Sequence, residues 1–289
     1  MAFDSERLNN LWRIIINYVF VGGTGGIGKS SALAMAQNGA RILVVGRNSD
    51  RARQAVDELK RAGATSADWL QADLGSRAGI AAAAKGILSW SPIISGLVHS
   101  AMTVDMRVRE RPLTADGFEH AFGLQYLARA ALNIALADAL AASGDGRIVH
   151  VGAKPPKDLI PDFDDLQFER KPWKLTPALM SSQVLGFLHA QEAAKRWADR
   201  PVRIAIACVG PTATEVVKRQ PWWVKAIYSL IATTPERSSA NVVRYLSEPD
   251  VSHLSGVAFL NSKRFDAQRI DYAPEIARRA WDITEALLR

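Results

Sequence analysis

Short apolar runs alternate with longer helical patterns along most of the 289-residue chain. The apolar runs predict strands over residues 14–21, 41–46, 66–71, 93–99, 147–152, 202–209 and 257–260. The segments between them predict helices over residues 27–38, 49–62, 76–88, 114–142, 176–199 and 235–246. Strands separated by helices pair in parallel through right-handed crossovers. The pattern therefore predicts an α/β fold, with a doubly wound parallel sheet of about seven strands flanked by helices.

The first strand ends in a glycine-rich turn, VGGTGGIG at residues 21–28, and an alanine-rich helical pattern follows directly. Gly22 lets the chain turn off the strand, Gly26 lets a phosphate approach the backbone, and Gly28 lets the helix pack against the sheet. The first amides of a helix have no internal partners and carry its positive dipole end. This turn is typical of the dinucleotide site of a Rossmann domain.

The glycine spacing resembles that of the short-chain dehydrogenase/reductase family, and later matches extend the resemblance along nearly the whole chain. Asp73 follows the third strand, Ala101 the fourth, and Gly210 and Thr214 the sixth, where the family contacts its nucleotide. The resemblance implies an NADP(H) or NAD(H) site. Its residues are Gly22, Thr24, Gly25, Gly26, Ile27, Gly28, Arg47, Asn48, Asp73, Leu74, Ser100, Ala101, Gly210 and Thr214.

The residue after the second strand favours NADP(H) over NAD(H). A carboxylate there would accept a hydrogen bond from the ribose 2′-hydroxyl. The chain instead has Gly46-Arg47-Asn48, and the planar, permanently charged guanidinium of Arg47 suits a 2′-phosphate.

The family's catalytic Asn, Ser, Tyr and Lys are all replaced at the positions that the flanking matches indicate. Asp116-Gly117-Phe118-Glu119 places Gln125 at the asparagine position. Strand 147–152 places Ala153 at the serine position. Residues 181–194 resemble the helix that carries the tyrosine and lysine, which puts Leu179 and Gln183 in those two slots. Leucine cannot donate a proton and neutral glutamine carries no charge, so the family's ordinary proton transfer is not expected.

The replacements predict an apolar pocket with a few amide groups. The expected pocket residues are Met102, Gly152, Ala153, Leu179, Trp222 and Trp223, and Gln125 and Gln183 would donate and accept hydrogen bonds. Lys154 is the first candidate for a proton donor. Further candidates are His150 and the loop acids Asp162, Asp164 and Asp165.

An apolar stretch with two adjacent tryptophans lies at residues 221–232, where the family places its substrate-binding helices. It predicts a substrate lid over about residues 211–235. Two alternatives stay open, which are ordinary packing against the domain and weak interfacial contact with a membrane.

Length and composition favour one domain over residues 1–289, because 48% of the residues are hydrophobic and no linker or repeat interrupts the chain. The single Cys208 lies in an apolar run and predicts a buried small residue. Apolar residues 11–21 are too few for a membrane span, which needs about 20, so we expect a cytoplasmic protein.

The net charge of +7 favours anionic partners such as a phosphorylated dinucleotide. Basic residues alternate with acidic ones on the predicted helices, so no nucleic-acid partner is expected. The expected partner is a small-molecule substrate, and self-association into a homo-oligomer stays open. No metal site is indicated.

Three functions fit these features. The first is an NADP(H)-dependent oxidoreductase with an altered proton path, acting on a small, largely apolar substrate in biosynthesis. The second is a non-redox cyclase or isomerase that keeps NADP as a structural part of the site. The third is a catalytically silent binding protein.

Overall fold

The protein was analysed as a computed structural model, which describes residues 16–102, 104–214, 217 and 220–289. Its centre is a sheet of eight strands in the order β3-β2-β1-β4-β5-β6-β7-β8. The strands are β1 (Asn17–Val21), β2 (Arg41–Gly46), β3 (Ser66–Gln71), β4 (Gly96–His99), β5 (Gly146–Gly152), β6 (Val202–Cys208), β7 (Val257–Phe259) and β8 (Ala267–Arg269). Neighbouring strands pair in parallel except β7 and β8, which are antiparallel.

Helices cover both faces of the sheet. They are α1 (Gly26–Gln37), α2 (Ser49–Arg61), α3 (Arg77–Trp90), a π-helix (Phe122–Leu127), α4 (Ala128–Ala135), α5 (Ala137–Ala141), α6 (Leu175–Arg196), α7 (Trp222–Ile231), α8 (Pro235–Ser238), α9 (Ala240–Ser247) and α10 (Pro274–Leu288). The α/β class and doubly wound parallel sheet predicted from the sequence are confirmed.

The hydrophobic core lies in two layers, one on each side of the sheet. Val19 and Val21 of β1 point to the layer under α3, α4 and α6, whereas Tyr18 and Phe20 point to the layer under α1, α2 and α9. This alternation follows from the period of two along a strand. Because both faces are covered, the central strands are buried along their whole length and read as continuous apolar runs.

The fourth predicted strand begins too early. β4 starts at Gly96, and Ile93 is exposed. The side-chain Nδ2 of Asn17 donates to Ile93 O at 3.0 Å and to Ser91 Oγ at 3.2 Å. These hydrogen bonds at the start of β1 hold residues 91–93 outside the sheet. Residues 14 and 15 of the first predicted strand lie outside the described residues.

The long helix predicted over residues 114–142 was also wrong in its first turns and in its continuity. Gly117 has a φ of 80°, and the Glu119 carboxylate accepts from Phe122 N at 2.8 Å, so residues 114–119 form a turn and Glu119 caps the helical segment that follows it. That segment opens as a π-helix and then breaks at Leu136 between α4 and α5.

Three further differences lie in the last third of the chain. The helix predicted over residues 235–246 is divided into α8 and α9, because Ser238 Oγ bonds the hydroxyls of Thr212 and Thr233 where the chain turns. β8 was not predicted, since the sequence Ala-Gln-Arg shows no apolar alternation at the sheet edge. The C-terminal helix α10 was not predicted either.

Candidate active site

The glycine turn lies at the carboxyl end of β1, between that strand and α1. Gly22 has a φ of 93°, and a Cβ placed there would lie 2.4 Å from Ala101 N. A Cβ on Gly28 would lie 2.1 Å from Ser100 Oγ and 2.8 Å from Gly22 O. These two glycines therefore allow the turn, the start of α1 and the segment after β4 to pack against one another.

The middle of the turn faces open space. Nothing lies within 4 Å of the position that a Gly25 Cβ would occupy. Gly25 precedes α1, no side chain caps this helix, and its first turn contains no acidic residue. Gly26 is tighter, because its φ is 53° and an added Cβ would lie 3.1 Å from the Thr214 methyl group. An uncapped helix N-terminus beside open space fits the pyrophosphate of a dinucleotide.

Arg47, Asn48 and Asp73 lie after β2 and β3, next to the turn. Arg47 is exposed. Burial is the main cause that lowers the pKa of His120. The charges of Arg47 and Asp73 also act on this pKa, so the two side chains lie near the same histidine. Asn48 has a structural contact of its own, since its Oδ1 accepts from Arg51 N at 2.8 Å and caps α2. Leu74 is buried in the core.

Gln125, Ala153 and Gln183 form one hydrogen-bonded group at the carboxyl end of β5. Gln183 Oε1 accepts from Ala153 N at 3.0 Å, and Gln183 Nε2 donates to Gln125 Oε1 at 3.4 Å. A Cβ on Gly152 would lie 2.3 Å from Gln183 Oε1, so this glycine permits the approach. Gln125 lies in the π-helix, a rare distortion that often accompanies functional sites.

The two glutamines line a small cavity together with Arg129, His150, Gly152, Ser182, Gly186, Phe187 and Ile206. It has room for about one water molecule. Gln125 is 2% exposed, and its Nε2 has no hydrogen-bond partner. Arg129 donates to the carbonyl oxygens of Val151 and Ala101. Ala101 thus contacts the cavity through Arg129 and the glycine turn through Gly22.

A buried cluster of three histidines lies behind the cavity. His99 Nε2 lies 2.8 Å from Asn133 Oδ1, and Asn133 Nδ2 lies 2.8 Å from His150 Nε2 and 3.1 Å from His189 Nε2. An amide that donates to both His150 and His189 makes Nε2 their acceptor and leaves their proton on Nδ1. Burial lowers the pKa of His99 and of His189 to about 3 and that of His150 well below its ordinary value.

Other candidate residues lie away from this cavity. Leu179 is half-buried on α6, one turn before Gln183, and Lys154 is exposed. The three loop acids bond within their own surroundings: Asp162 to Lys171, Asp164 to Arg279, and Asp165 to backbone N–H groups of residues 169–171. No tyrosine lines the cavity as the described part of the chain forms it. Tyr126, next to Gln125, points away and bonds the Thr284 hydroxyl.

Backbone hydrogen bonds join the two ends of the predicted lid segment. Ala213 N donates to Thr233 O, and Thr233 N donates to Pro211 O, both at 2.9 Å. Residues 215, 216, 218 and 219 lie outside the described residues. Helix α7 buries only Val224; Trp222 is 79% exposed and Leu230 86% exposed. Trp223 and Met102 are also exposed, so these side chains do not line the cavity in this conformation.

Sequence reasoning missed Arg129. Arg129 follows Gln125 by four residues, so both lie on one face of a helical segment, which was the available signal. Gly152 lines the cavity as expected from the sequence, but its close approach to Gln183 shows only in the structure. The expected small apolar role of Cys208 is confirmed: it is buried, and burial raises the pKa of its thiol to about 12.

Comparison with known proteins identifies the family. The family model for short-chain dehydrogenases matches residues 17–157, which include the glycine turn, Gln125 and Ala153. The chain belongs to this family. The family assignment predicted from the sequence is therefore confirmed. Members of this family are oxidoreductases.

Individual relatives cover most of the chain. Retinol dehydrogenase 14 of Homo sapiens is 25% identical over 290 residues, covering 93% of this chain and 85% of that protein. Polyprenol dehydrogenase of Mus musculus is 25% identical over 280 residues, covering 91% and 81%. A solved 3-oxoacyl-(acyl-carrier-protein) reductase from Agrobacterium tumefaciens with NADP bound has the same fold. Its TM-score is 0.66 at 17% identity, covering 91% of this chain and 100% of that one.

Proposed function

We propose that this protein is an NADP(H)-dependent oxidoreductase that acts on a small, largely apolar substrate through a non-standard active site. The observation that carries the proposal is the position of Ala101, which contacts the nucleotide turn through Gly22 and the glutamine-lined cavity through Arg129. A nicotinamide bound beside Ala101 would supply or accept hydride next to the side-chain amide of Gln125.

The chain's own residues fit the nucleotide in three places. The open space at Gly25 and the uncapped start of α1 suit the pyrophosphate, Asp73 suits the adenine amino group, and Arg47 suits a 2′-phosphate. The remaining residues proposed for the cofactor site are Gly22, Thr24, Gly26, Ile27, Gly28, Asn48, Leu74, Ser100, Ala101, Gly210 and Thr214.

Replacing Arg47 by alanine should weaken NADP(H) binding about 10- to 100-fold, because charge-assisted hydrogen bonds to the 2′-phosphate are lost. NAD(H) affinity should stay within about threefold. Calorimetric titration with both nucleotides measures the difference.

Arg51→Ala is the matched control for Arg47→Ala, because it removes the same charge from the exposed start of α2. It should leave the preference unchanged. Equal affinity of the wild-type protein for NADP(H) and NAD(H) would contradict the assignment.

In the proposed site, Gln183 holds the backbone N–H of Ala153 and orients Gln125, while Gln125 offers an unpaired amide N–H. Such a donor polarises a carbonyl or steadies developing negative charge on its oxygen. Ala153, bonded to Gln183, supplies apolar surface there, and Leu179 lies one turn earlier on α6. Gln125 cannot supply the proton that a reduced carbonyl takes up, and Lys154 is the candidate donor. Lys154 is exposed, so the loop after β5 must move to bring it to the cavity.

The composition of the predicted lid favours an apolar substrate. Helix α7 presents exposed apolar side chains, and the curated relatives include proteins named for retinol and polyprenol. Closure of Trp222 and Trp223 over the site would bury that surface against the substrate. Among the described residues, no helix combines the length and the apolar character needed to cross a membrane. Brief contact of α7 with a lipid surface and a cytoplasmic location are part of this proposal, and self-association stays open.

A non-redox reaction is the second candidate. The observation that favours it is the cavity lining, in which the described residues supply amides, an arginine and a histidine but neither a tyrosine nor a carboxylate. A cyclase or isomerase would need chiefly orientation of its substrate, with NADP as a fixed part of the wall.

Turnover should consume NADPH, or form it from NADP⁺, one-to-one with product. Absorbance at the nicotinamide band and product mass measure this directly. Formation of a product of unchanged mass with NADP⁺ alone would contradict the redox proposal.

Gln183→Leu should lower kcat at least tenfold, because Ala153 N and Gln125 lose their partner. Lys154→Met is the comparison that identifies the proton donor: a similar loss would assign that role to Lys154, and a change of less than about twofold would remove it from the reaction.

A further inference from the structure

Arg129 is a buried cation at the centre of the fold. It is 5% exposed and lies at the start of α4. Its Nη1 donates to Val151 O at 2.8 Å and its Nη2 to Ala101 O at 3.1 Å, so the guanidinium bridges the ends of β5 and β4. Its Nε is buried without a hydrogen-bond partner. Burial lowers its pKa to about 10, which still leaves it charged at neutral pH.

No carboxylate compensates this charge within the part of the chain that the structure describes. None of the ion pairs there includes Arg129. The charge of Arg129 acts on His99 and His150, whose pKa values are lowered foremost by burial and, to a smaller extent, by that charge. Both histidines are therefore neutral at neutral pH, and neither supplies a negative charge.

The cavity beside Arg129 offers hydrogen-bond donors. Gln125 Oε1 accepts a hydrogen bond from Gln183, and Gln125 Nε2 has no hydrogen-bond partner. His150, which lines the cavity, accepts from Asn133 through Nε2, and this leaves the proton on Nδ1. Gln125, Arg129 and His150, which line a space for about one water molecule, thus each carry a hydrogen-bond donor.

A buried charge and unpaired buried donors both cost free energy until a partner satisfies them. A water molecule in the cavity would accept hydrogen bonds but would leave the charge of Arg129 uncompensated. A single negatively charged atom would accept from the same donors and also neutralise the guanidinium.

We propose that the cavity lined by Gln125, Arg129 and His150 is an anion site that holds one negatively charged atom of about the size of a water molecule. Two sources supply that chemistry: a free halide ion, or the oxyanion that forms on the substrate during reaction. The second source rests on the proposed function, whereas halide binding does not.

Bromide is the probe for the site, because it scatters anomalously and is close to chloride in size. Thermal unfolding of the full chain is measured in sodium bromide and in sodium gluconate at equal ionic strength, since gluconate is too large for the cavity. At a bromide concentration about ten times the dissociation constant, we expect the unfolding temperature to rise by about 3 °C over gluconate. Crystals soaked in bromide should show an anomalous peak between Arg129 and Gln125.

Two variants test the donors separately. Gln125→Leu removes the amide and keeps an apolar side chain of similar size, and it should reduce the bromide-dependent shift by at least half. Arg129→Gln should abolish it; if that variant does not fold, Gln125→Leu and the anomalous map still decide. Equal unfolding temperatures in the two salts for the wild-type protein, with no bromide peak in the cavity, would overturn the proposal.

Steady-state kinetics distinguish the two sources. Competitive inhibition by bromide against the substrate assigns the cavity to a substrate oxyanion, and bromide binding without competition assigns it to a free halide. The unfolding and diffraction measurements need no turnover, so the anion site can stand even if the protein fails to oxidise or reduce any substrate.

Discussion

Gly25→Asp should abolish NADP(H) binding and leave the protein folded. Gly25 is extended, with a φ of −172°, and an added side chain meets nothing within 4 Å. It also precedes α1, where aspartate is among the best capping residues, so the free energy of unfolding should stay constant or rise by up to about 1 kcal/mol. The carboxylate would occupy the space proposed for the pyrophosphate, and we expect a loss of at least 100-fold in affinity.

Gly22→Ala is the structural counterpart. Its φ of 93° and the 2.4 Å approach to Ala101 N leave no room for a methyl group. We expect a loss of about 3 kcal/mol or more in the free energy of unfolding, from strain and steric overlap together. Calorimetric binding and chemical denaturation of both variants separate a glycine kept for the ligand from one kept for the fold. Gly25→Ser, which caps without charge, should lose less affinity than Gly25→Asp. Undiminished nucleotide binding by Gly25→Asp would contradict the site.

Gly26 is a poorer choice for this test. The sequence alone predicts that a phosphate approaches the backbone at Gly26, and hence that a side chain there would affect only the ligand. However, its φ of 53° and the nearby Thr214 methyl group mean that a side chain there strains the turn as well.

The second large effect should appear in acid. His99, His150 and His189 have folded-state pKa values lowered by burial, to about 3 for His99 and His189. A lowered pKa favours the neutral histidine in the folded state. Stability is therefore fully present above the unfolded value of about 6.5 and is lost as the pH falls toward 3.

Each histidine costs up to about 1.4 kcal/mol per pH unit in that window, so the three together cost about 4 kcal/mol per unit. For a domain of ordinary stability, cooperative unfolding should occur near pH 4 to 5. Tryptophan fluorescence should report it, because Trp281 stacks on His189 with ring centroids 5.0 Å apart.

The slope of the free energy of unfolding against pH counts the protons taken up. His189→Leu should lower it by about one proton below pH 6, even if the variant is less stable overall. His253→Gln changes an exposed histidine and is the matched control. A folded protein at pH 3.5, or a slope unaffected by His189→Leu, would show that the cluster is not held neutral by the fold.

The sequence by itself determined the architecture and the nucleotide turn. Continuous apolar runs such as residues 41–46 can only be buried on both faces, which requires helices on both sides and parallel pairing. The turn is equally local, because the strand, the glycines and the helix start are contiguous, and its conformation follows from residue type. The replacement of the family's catalytic residues stays a prediction from sequence matches.

Only the tertiary structure decided what the site contains. Gln125 and Arg129 come from one continuous helical segment and His150 comes from β5, and no local pattern records that this strand residue shares a cavity with the other two. The same holds for the histidine cluster, which Asn133 joins across three elements. The role of Gly152 depends on the length of the Gln183 side chain, which reaches the end of β5 from α6. Periodicity reports which face of an element is buried, whereas polar partners are chosen by the packing of one element on another.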